Sequence, residues 1–270
     1  MDFAWFQQLS SSELAVMVGS VTLVVALAGL TLTAHRVRAT TLHEQLDNGA
    51  IAGILAALIG IYAIAAGLTA VAVWGNTNDA AAKVGREATA INVLFHDFGG
   101  YPQPLRDQMR NALIDYTRYV IEQEWPKHQI GEAPVSTLKL MDDAQGALFA
   151  YEPATEGQKI LHAQAVSAYN NLLEARRMRL QSVTDTALPG ELWVIVILLA
   201  VIAISSCFLL RVDSFGMHAT ITILVAMPIA LILYFIAVTD RPFQGGVSVS
   251  AEPYRLILDN IMVPEAKSRR

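Results

Sequence analysis

Charge is scarce in this chain. Only 16% of its 270 residues are Asp, Glu, Lys or Arg, against roughly 25% in a soluble globular protein. Cysteine occurs once, which excludes a disulfide framework and a multi-cysteine zinc or iron–sulfur site. Basic residues do not dominate: 19 Lys and Arg stand against 24 Asp and Glu, a formal net charge of −5. That balance argues against nucleic-acid binding by bulk charge. No Gly-rich phosphate loop follows a strand, and there is no nucleophile elbow. His35, His43, His96, His128, His162 and His218 show no paired metal-ligand spacing. No catalytic residue, metal site or cofactor is expected, so the chain does not read as an enzyme.

Apolar sequence is in excess. Hydrophobic residues make up 54% of the chain, and they gather in four long runs. Leu14 to Ala34, Ala50 to Trp74, Leu192 to Leu210 and Ala219 to Thr239 contain no acidic or basic residue. A helix needs about 20 apolar residues to cross a hydrocarbon core of about 30 Å. Lipid offers no partner for free backbone groups, so each run reads as a transmembrane helix. The leader Met1 to Glu13 holds no Lys or Arg, and the first run is long for a cleavable signal. It is therefore expected to be retained.

The connections divide the chain. Residues 1–74 form a first membrane hairpin, 75–190 a soluble insertion, 191–239 a second hairpin and 240–270 a tail. Four crossings put both termini and the soluble domain on one side. Arg36, Arg38 and Arg211 lie in the short loops. Lys83, Arg86, Arg176, Arg177, Arg179, Arg241 and Arg255 lie near span ends on the other side. Their densities per residue are similar, so the positive-inside rule does not orient the chain. Trp5, Trp74, Trp193 and the Tyr234–Phe235 pair all fall at the domain-side ends of the spans, where aromatic rings favour the interface.

The insertion repeats apolar residues at helical spacing, which makes the expected fold all-α: four transmembrane helices in two hairpins with an inserted helical bundle. Val84, Ala88, Ile91, Phe95 and Phe98 mark a helix over 79–98. Leu105, Met109, Leu113, Tyr116 and Val120 mark a second from about Pro104 to Trp125, stopped by Pro126. A third covers about Ser136 to Phe149. The last runs from Thr155 to about Ala187, with Val166, Tyr169, Leu173, Leu180 and Val183 facing inward. Strand-like alternation occurs only around Gly245 to Ser250. A short helix from Ala251 to Ile261 follows, with Ser250 as N-cap.

Three constellations stand out. In span two, Gly53, Ala56, Gly60, Ala63, Gly67 and Ala70 form a small-residue stripe. Ala15, Gly19, Thr22, Ala26, Gly29 and Thr33 do the same in span one. Such stripes let helix backbones approach closely, so spans one and two are expected to pack through them. The other reading is that the span-two stripe faces a pore. No ionisable residue lies within the spans, which lowers the case for a proton pump but not for a channel selective at its mouth. Met227–Pro228 interrupts the hydrogen bonding of span four.

Glu87 and Arg176 lie on the apolar faces of two domain helices, where a charge needs a partner. They are expected to share a salt bridge, directly or through a residue such as Glu124; contact with an anionic ligand is the alternative. Arg177 and Arg179 read as a solvated face, and His96–Asp97 as a helix-end pair. Asp240, Pro242 and Phe243 mark a turn after span four. A carboxylate at a helix C-terminus opposes the helix dipole, so Arg241 or another cation is expected to compensate it. A cation site at the membrane mouth is the minor alternative.

Several segments taken in order carry a resemblance. They are Arg86–Glu87–Ala88, Tyr116 followed by Glu124–Trp125–Pro126, Arg176 through Arg179–Leu180, Leu188–Pro189 ahead of Trp193, Asp240–Arg241–Pro242–Phe243, and Gly245 with Val247 to Ser250. Together they resemble the bestrophin-like domain family of bacterial membrane proteins, over nearly the whole chain. That family is similar in layout to the bestrophin channels, which assemble as pentamers around a central pore. The resemblance implies an inner-membrane homo-oligomer, cytoplasmic placement of 75–190, and span two as pore helix. Channel bestrophins carry large apolar residues at a pore neck, whereas span two here is dominated by Ala and Gly. The leading expectation is an oligomeric, channel-like membrane protein surrounded by lipid. The alternative is a non-conducting adaptor, sensor or accessory subunit bound to other membrane proteins.

Overall fold

The computed structural model describes residues 10–37, 47–134 and 139–267. Trp5, Arg38 and the expected helix start at Ser136 lie outside them, as does the side chain of Arg36. The described residues are helical with no strand: α1 is Ser11–Val37, α2 Asn48–Asp97, α3 Leu105–Tyr119, α4 Trp125–His128, α5 Lys139–Phe149, α6 Glu156–Thr184, α7 Gly190–Ser206, α8 Phe215–Thr239, α9 Glu252–Ile257 and α10 Val263–Lys267. Four helices are long and apolar enough to span a membrane, α1, α2, α7 and α8. The chain divides into two compact units. One takes in 1–76, 186–240 and 245–247, the other 77–185, 241–244 and 248–270.

The longest element is α2, with 50 residues. At 1.5 Å per residue it extends about 75 Å, more than twice a hydrocarbon core. Span two and the first domain helix are therefore one continuous helix rather than two elements. Nothing between Trp74 and Asp79 breaks it. No proline occurs there, and Gly75 alone costs only about 1 kcal/mol in a helix interior.

In the membrane unit, α1 packs along α8. The core joins Ala26 to Tyr62, Ala66, Val73, Val196, Ala200, Ala203, Ala226, Ile229 and Ile236. Neutral hydrogen bonds supplement it. The Tyr62 hydroxyl donates to the Ile229 carbonyl at 3.3 Å. Asn48 clasps the α7–α8 turn from both sides, giving Nδ2–H to the Arg211 carbonyl at 2.9 Å and accepting its N–H at 2.8 Å. His218 falls inside α8 and is buried, with Nε2 2.9 Å from the Cys207 carbonyl. One ionisable residue thus does lie within a span-length helix, as a cap on the preceding turn. Pro228 also lies inside α8, which continues to Thr239.

The second unit is built on Val84, Ile91, Leu94, Phe95, Phe98, Met109, Leu113, Tyr116, Val120, Leu148, Tyr169 and Leu172. Its second helix does not stop at Pro126. A π turn over Val120–Glu124 follows α3, and Pro126 sits in the first turn of α4. The wider turn changes the hydrogen-bond register just where proline has no N–H to give. Gly131 at φ +80° then turns the chain, a conformation that glycine adopts without a Cβ clash. Thr155 and Gln158 form a reciprocal capping box at the start of α6. In the tail, no strand forms; the Val249 N–H bonds to the Pro242 carbonyl at 2.8 Å. Ala251, not Ser250, is the N-cap of α9, and a second π turn over Leu258–Met262 carries the helix past Ile261 into α10.

Candidate functional site

Glu87 and Arg176 do not touch directly. The bundle interior instead holds a network of two carboxylates, two guanidiniums, a histidine and a tyrosine. Arg179 is its hub, with no exposed surface. Its Nε donates to Glu87 Oε2 at 2.6 Å, its Nη2 to Glu124 Oε2 at 2.8 Å, and its Nη1 meets His128 Nε2. Arg176 grips Glu124 through both terminal nitrogens, at 2.7 and 3.1 Å. Tyr116 donates to Glu87 Oε1 at 2.5 Å and accepts from Arg176 Nη1 at 3.3 Å. The expected link from Glu87 to Arg176 therefore runs through Tyr116, and also through Arg179 and Glu124.

Two positive and two negative charges cancel within this core, which is the condition for burying them. Burial alone would raise the Glu124 carboxyl, but Arg179 and Arg176 outweigh it and hold the group below the usual carboxylate range. Burial, followed by the Glu87 charge, pushes the Tyr116 phenol well above its ordinary value. Burial and then Arg179 push the His128 imidazole down from 6.5 to about 4. Both ends of the chemistry are thus pinned at neutral pH: Glu124 is held charged and the histidine neutral. Such a network specifies one packing arrangement; it offers no unoccupied acid–base pair.

Arg179 overturns its reading as part of a solvated face. The inward stripe of α6 runs through Ala165, Tyr169, Leu172, Arg176, Arg179 and Val183, one position off the expected Val166, Leu173 and Leu180. Arg177 is exposed. The signal was present in the spacing, because Arg179 follows Leu172 by seven residues and Arg176 by three. Two arginines on one face outweighed that periodicity. His128 left a fainter trace, one turn beyond Glu124.

The turn after span four gathers two distant segments. Asp240 Oδ1 accepts the Leu188 N–H at 2.9 Å, Oδ2 accepts the Trp193 indole N–H at 3.3 Å, and its carbonyl accepts the Ala187 N–H at 3.3 Å. Backbone and indole donors at the approach to α7 thus contribute to balancing this carboxylate. Arg241 donates to Gln244 at 3.4 Å. Pro242 and Phe243 are buried in the second unit. Phe243 stacks edge-on against Trp125 at 5.7 Å and His128 at 5.8 Å. Trp125 and Phe243, from the Glu–Trp–Pro and Pro–Phe segments, therefore form one aromatic lid beside His128.

The small-residue stripe of α2 does not meet α1. A Cβ added at Gly53, Gly60 or Gly67 would touch nothing within 4 Å. Gly53, Ala56, Gly60 and Ala63 are exposed, while Gly67 and Ala70 are half-buried and Ala70 packs on the membrane core. A seven-residue repeat drifts about 20° per heptad on a 3.6-residue helix, which carries the stripe round toward the chain's own core. In α1, Gly19 is equally open, and the close approach falls at Gly29, whose added Cβ would stand 2.6 Å from the Phe208 ring. The buried face of α2 is instead Ile51, Tyr62, Ala66 and Val73. Two positions from Tyr62 and Val73, about 200° round the helix, Ile64 and Val71 are 68% and 72% exposed, and Leu68 between them is 69% exposed.

The family model for the bestrophin-like domain matches residues 21–254. The chain belongs to the bestrophin-like family. Solved structures agree on the fold. A point-mutated bacterial bestrophin homologue from Klebsiella pneumoniae superimposes with a TM-score of 0.68 at 10% identity, covering 93% of this chain and 98% of that one. A second mutant of that homologue gives 0.66 at 10% identity over 92% and 97%. A crystal structure described as a membrane protein gives 0.67 at 12% identity over 90% and 97%. A search of curated proteins finds no match. At these identities the bestrophin-like likeness is one of fold.

Proposed function

We propose that this chain is the subunit of an oligomeric, channel-like protein of the bacterial inner membrane. Small ions would pass along a central pore lined by α2, with the helical domain and both termini in the cytoplasm. The reading rests on one observation: within a bestrophin-like fold, the α2 face opposite Tyr62, Ala66 and Val73 is left bare by the chain itself. That face carries Gly53 and Gly60 beside Ile64, Leu68 and Val71. Glycine gives room, and the large aliphatics provide a constriction of the kind that gates by excluding water. The rarity of ionisable groups in the spans fits passive conduction better than proton-coupled transport.

Reconstitution into planar bilayers tests the proposal. Single-channel currents that change in amplitude in Leu68→Ala and Gly60→Leu are expected. Correctly assembled protein that stays silent across several salts and pH values would sink it. A non-conducting adaptor is the second reading. An open groove of about 540 Å³ between α2 and α6, lined by Gly85, Arg86, Val93, Ala168 and Asn171 among others, favours it as a place for a partner.

A further inference from the structure

His128 sits between two partners that leave it no choice of protonation state. Its Nδ1 lies 3.1 Å from the Glu132 carbonyl, and its Nε2 meets Nη1 of Arg179. A carbonyl only accepts and a guanidinium only donates. The imidazole must therefore carry its one proton on Nδ1 and offer a lone pair at Nε2. The ring has no exposed surface, and Trp125 and Phe243 close over it edge-on, each at 5.8 Å. The charged groups that act on it are Arg179 from α6, Glu124 from the π turn before α4 and Glu87 from α2; Tyr116 from α3 and Tyr254 from α9 stand behind them, around Glu87 and Arg179. Arg176 lies behind Glu124, and Arg241 lies beside the turn at Gly131. Within the buried network the two arginines, Arg176 and Arg179, balance Glu87 and Glu124 while the ring is neutral.

A proton at Nε2 would set N–H against N–H and leave one uncompensated positive charge in the core. We propose that His128 is an acid-operated latch of the helical domain, whose protonation breaks the Arg179 contact and frees the end of α4, the turn over 129–132 and the Phe243 lid. The π turn over Val120–Glu124 leads directly into α4, so the released end of α4 belongs to an irregular stretch of helix. The latch holds whether or not the chain conducts. It is shut at neutral pH because the closed site resists the proton: the imidazole titrates near 4 when buried and near 6.5 when released. The opening equilibrium accordingly rises about 30-fold between neutral pH and pH 5.

Hydrogen exchange on the full chain in detergent, at pH 7.5 and 5.0 with rates corrected for intrinsic chemistry, reads this out. Segments 120–132 and 241–258 should lose protection about 30-fold at pH 5. His128→Gln keeps an acceptor for Arg179 and cannot take the proton, so the step should vanish. Any step from Asp97, whose carboxyl burial raises, would survive that substitution. Equal protection at both pH values in the wild-type chain, or an undiminished step in His128→Gln, overturns the latch. Should His128→Gln fail to assemble, nitrogen shifts of the wild-type imidazole decide the matter. A neutral ring with its proton on Nδ1 down to pH 5 is expected, and an imidazolium at pH 6 rejects the proposal.

Discussion

The two units of this chain solve the problem of helix packing with opposite materials. In the membrane unit, helices meet through Ala26, Ala66, Ala200, Ala203 and Ala226, with neutral hydrogen bonds from Tyr62, Asn48 and His218. In the other, two arginines and two glutamates occupy the middle of the bundle. Lipid supplies no hydrophobic drive between helices, so close contact of small side chains and modest hydrogen bonds must suffice. Water supplies that drive to the domain, which leaves room for a costly charge network that specifies one arrangement. Single substitutions in the membrane unit should therefore be mild, and those in the network severe.

The sharpest test is the hub. Arg179→Ala leaves Glu87 and Glu124 short of a shared cation, and removing one partner of a buried pair costs about 3–5 kcal/mol. Arg176→Ala should cost less, because Glu124 keeps Arg179. Arg177→Ala should stay within about 0.5 kcal/mol, as an exposed substitution does. Denaturant unfolding of the three variants gives the order, and an Arg177 effect equal to that of Arg179 would contradict the α6 stripe.

Acid should act on the domain next. As pH falls through about 6.5, the unfolded chain binds a proton at His128 that the native chain refuses until about 4. The stability is intact above 6.5 and declines by about 3 kcal/mol on the way to pH 4. Glu124, held below its usual value, acts in the same direction at lower pH: its contribution is present above the ordinary carboxylate value and lost below it. Unfolding curves between pH 7.5 and 4 should slope accordingly, and His128→Gln should flatten the upper part.

In the membrane unit, Gly29→Leu drives a side chain into the Phe208 ring, and overpacking of this kind costs about 1–3 kcal/mol. Gly60→Leu meets no atom of its own chain and should leave the monomer's thermal stability unchanged. Any change it brings should be in subunit assembly or current. A loss at Gly60 as large as that at Gly29, in protein held monomeric, would return the stripe to packing within the chain. The smallest effect is expected from Trp193→Phe, which removes one hydrogen bond to Asp240, worth about 1 kcal/mol. A thermal melt with unchanged midpoint would mean that the indole bond adds nothing to the stability of that turn.

The sequence by itself determined the four spans, because about 20 uncharged apolar residues have no other stable use than a membrane helix. It also determined the all-α domain, since the 3–4 spacing of Val84 to Phe98 and Leu105 to Val120 leaves one face to bury. Motifs in order were enough to mark the bestrophin-like family. Only the tertiary structure decided who meets whom. Small-residue stripes on α1 and α2 are local patterns, and a pattern does not name its partner: α1 chose α8, and the α2 stripe from Gly53 to Ala63 was left exposed. Arg179 looked like surface because isolated charge is costly to bury; Glu87 and Glu124, 92 and 55 residues away in sequence, remove that cost, and such distant compensation exists only in the folded chain.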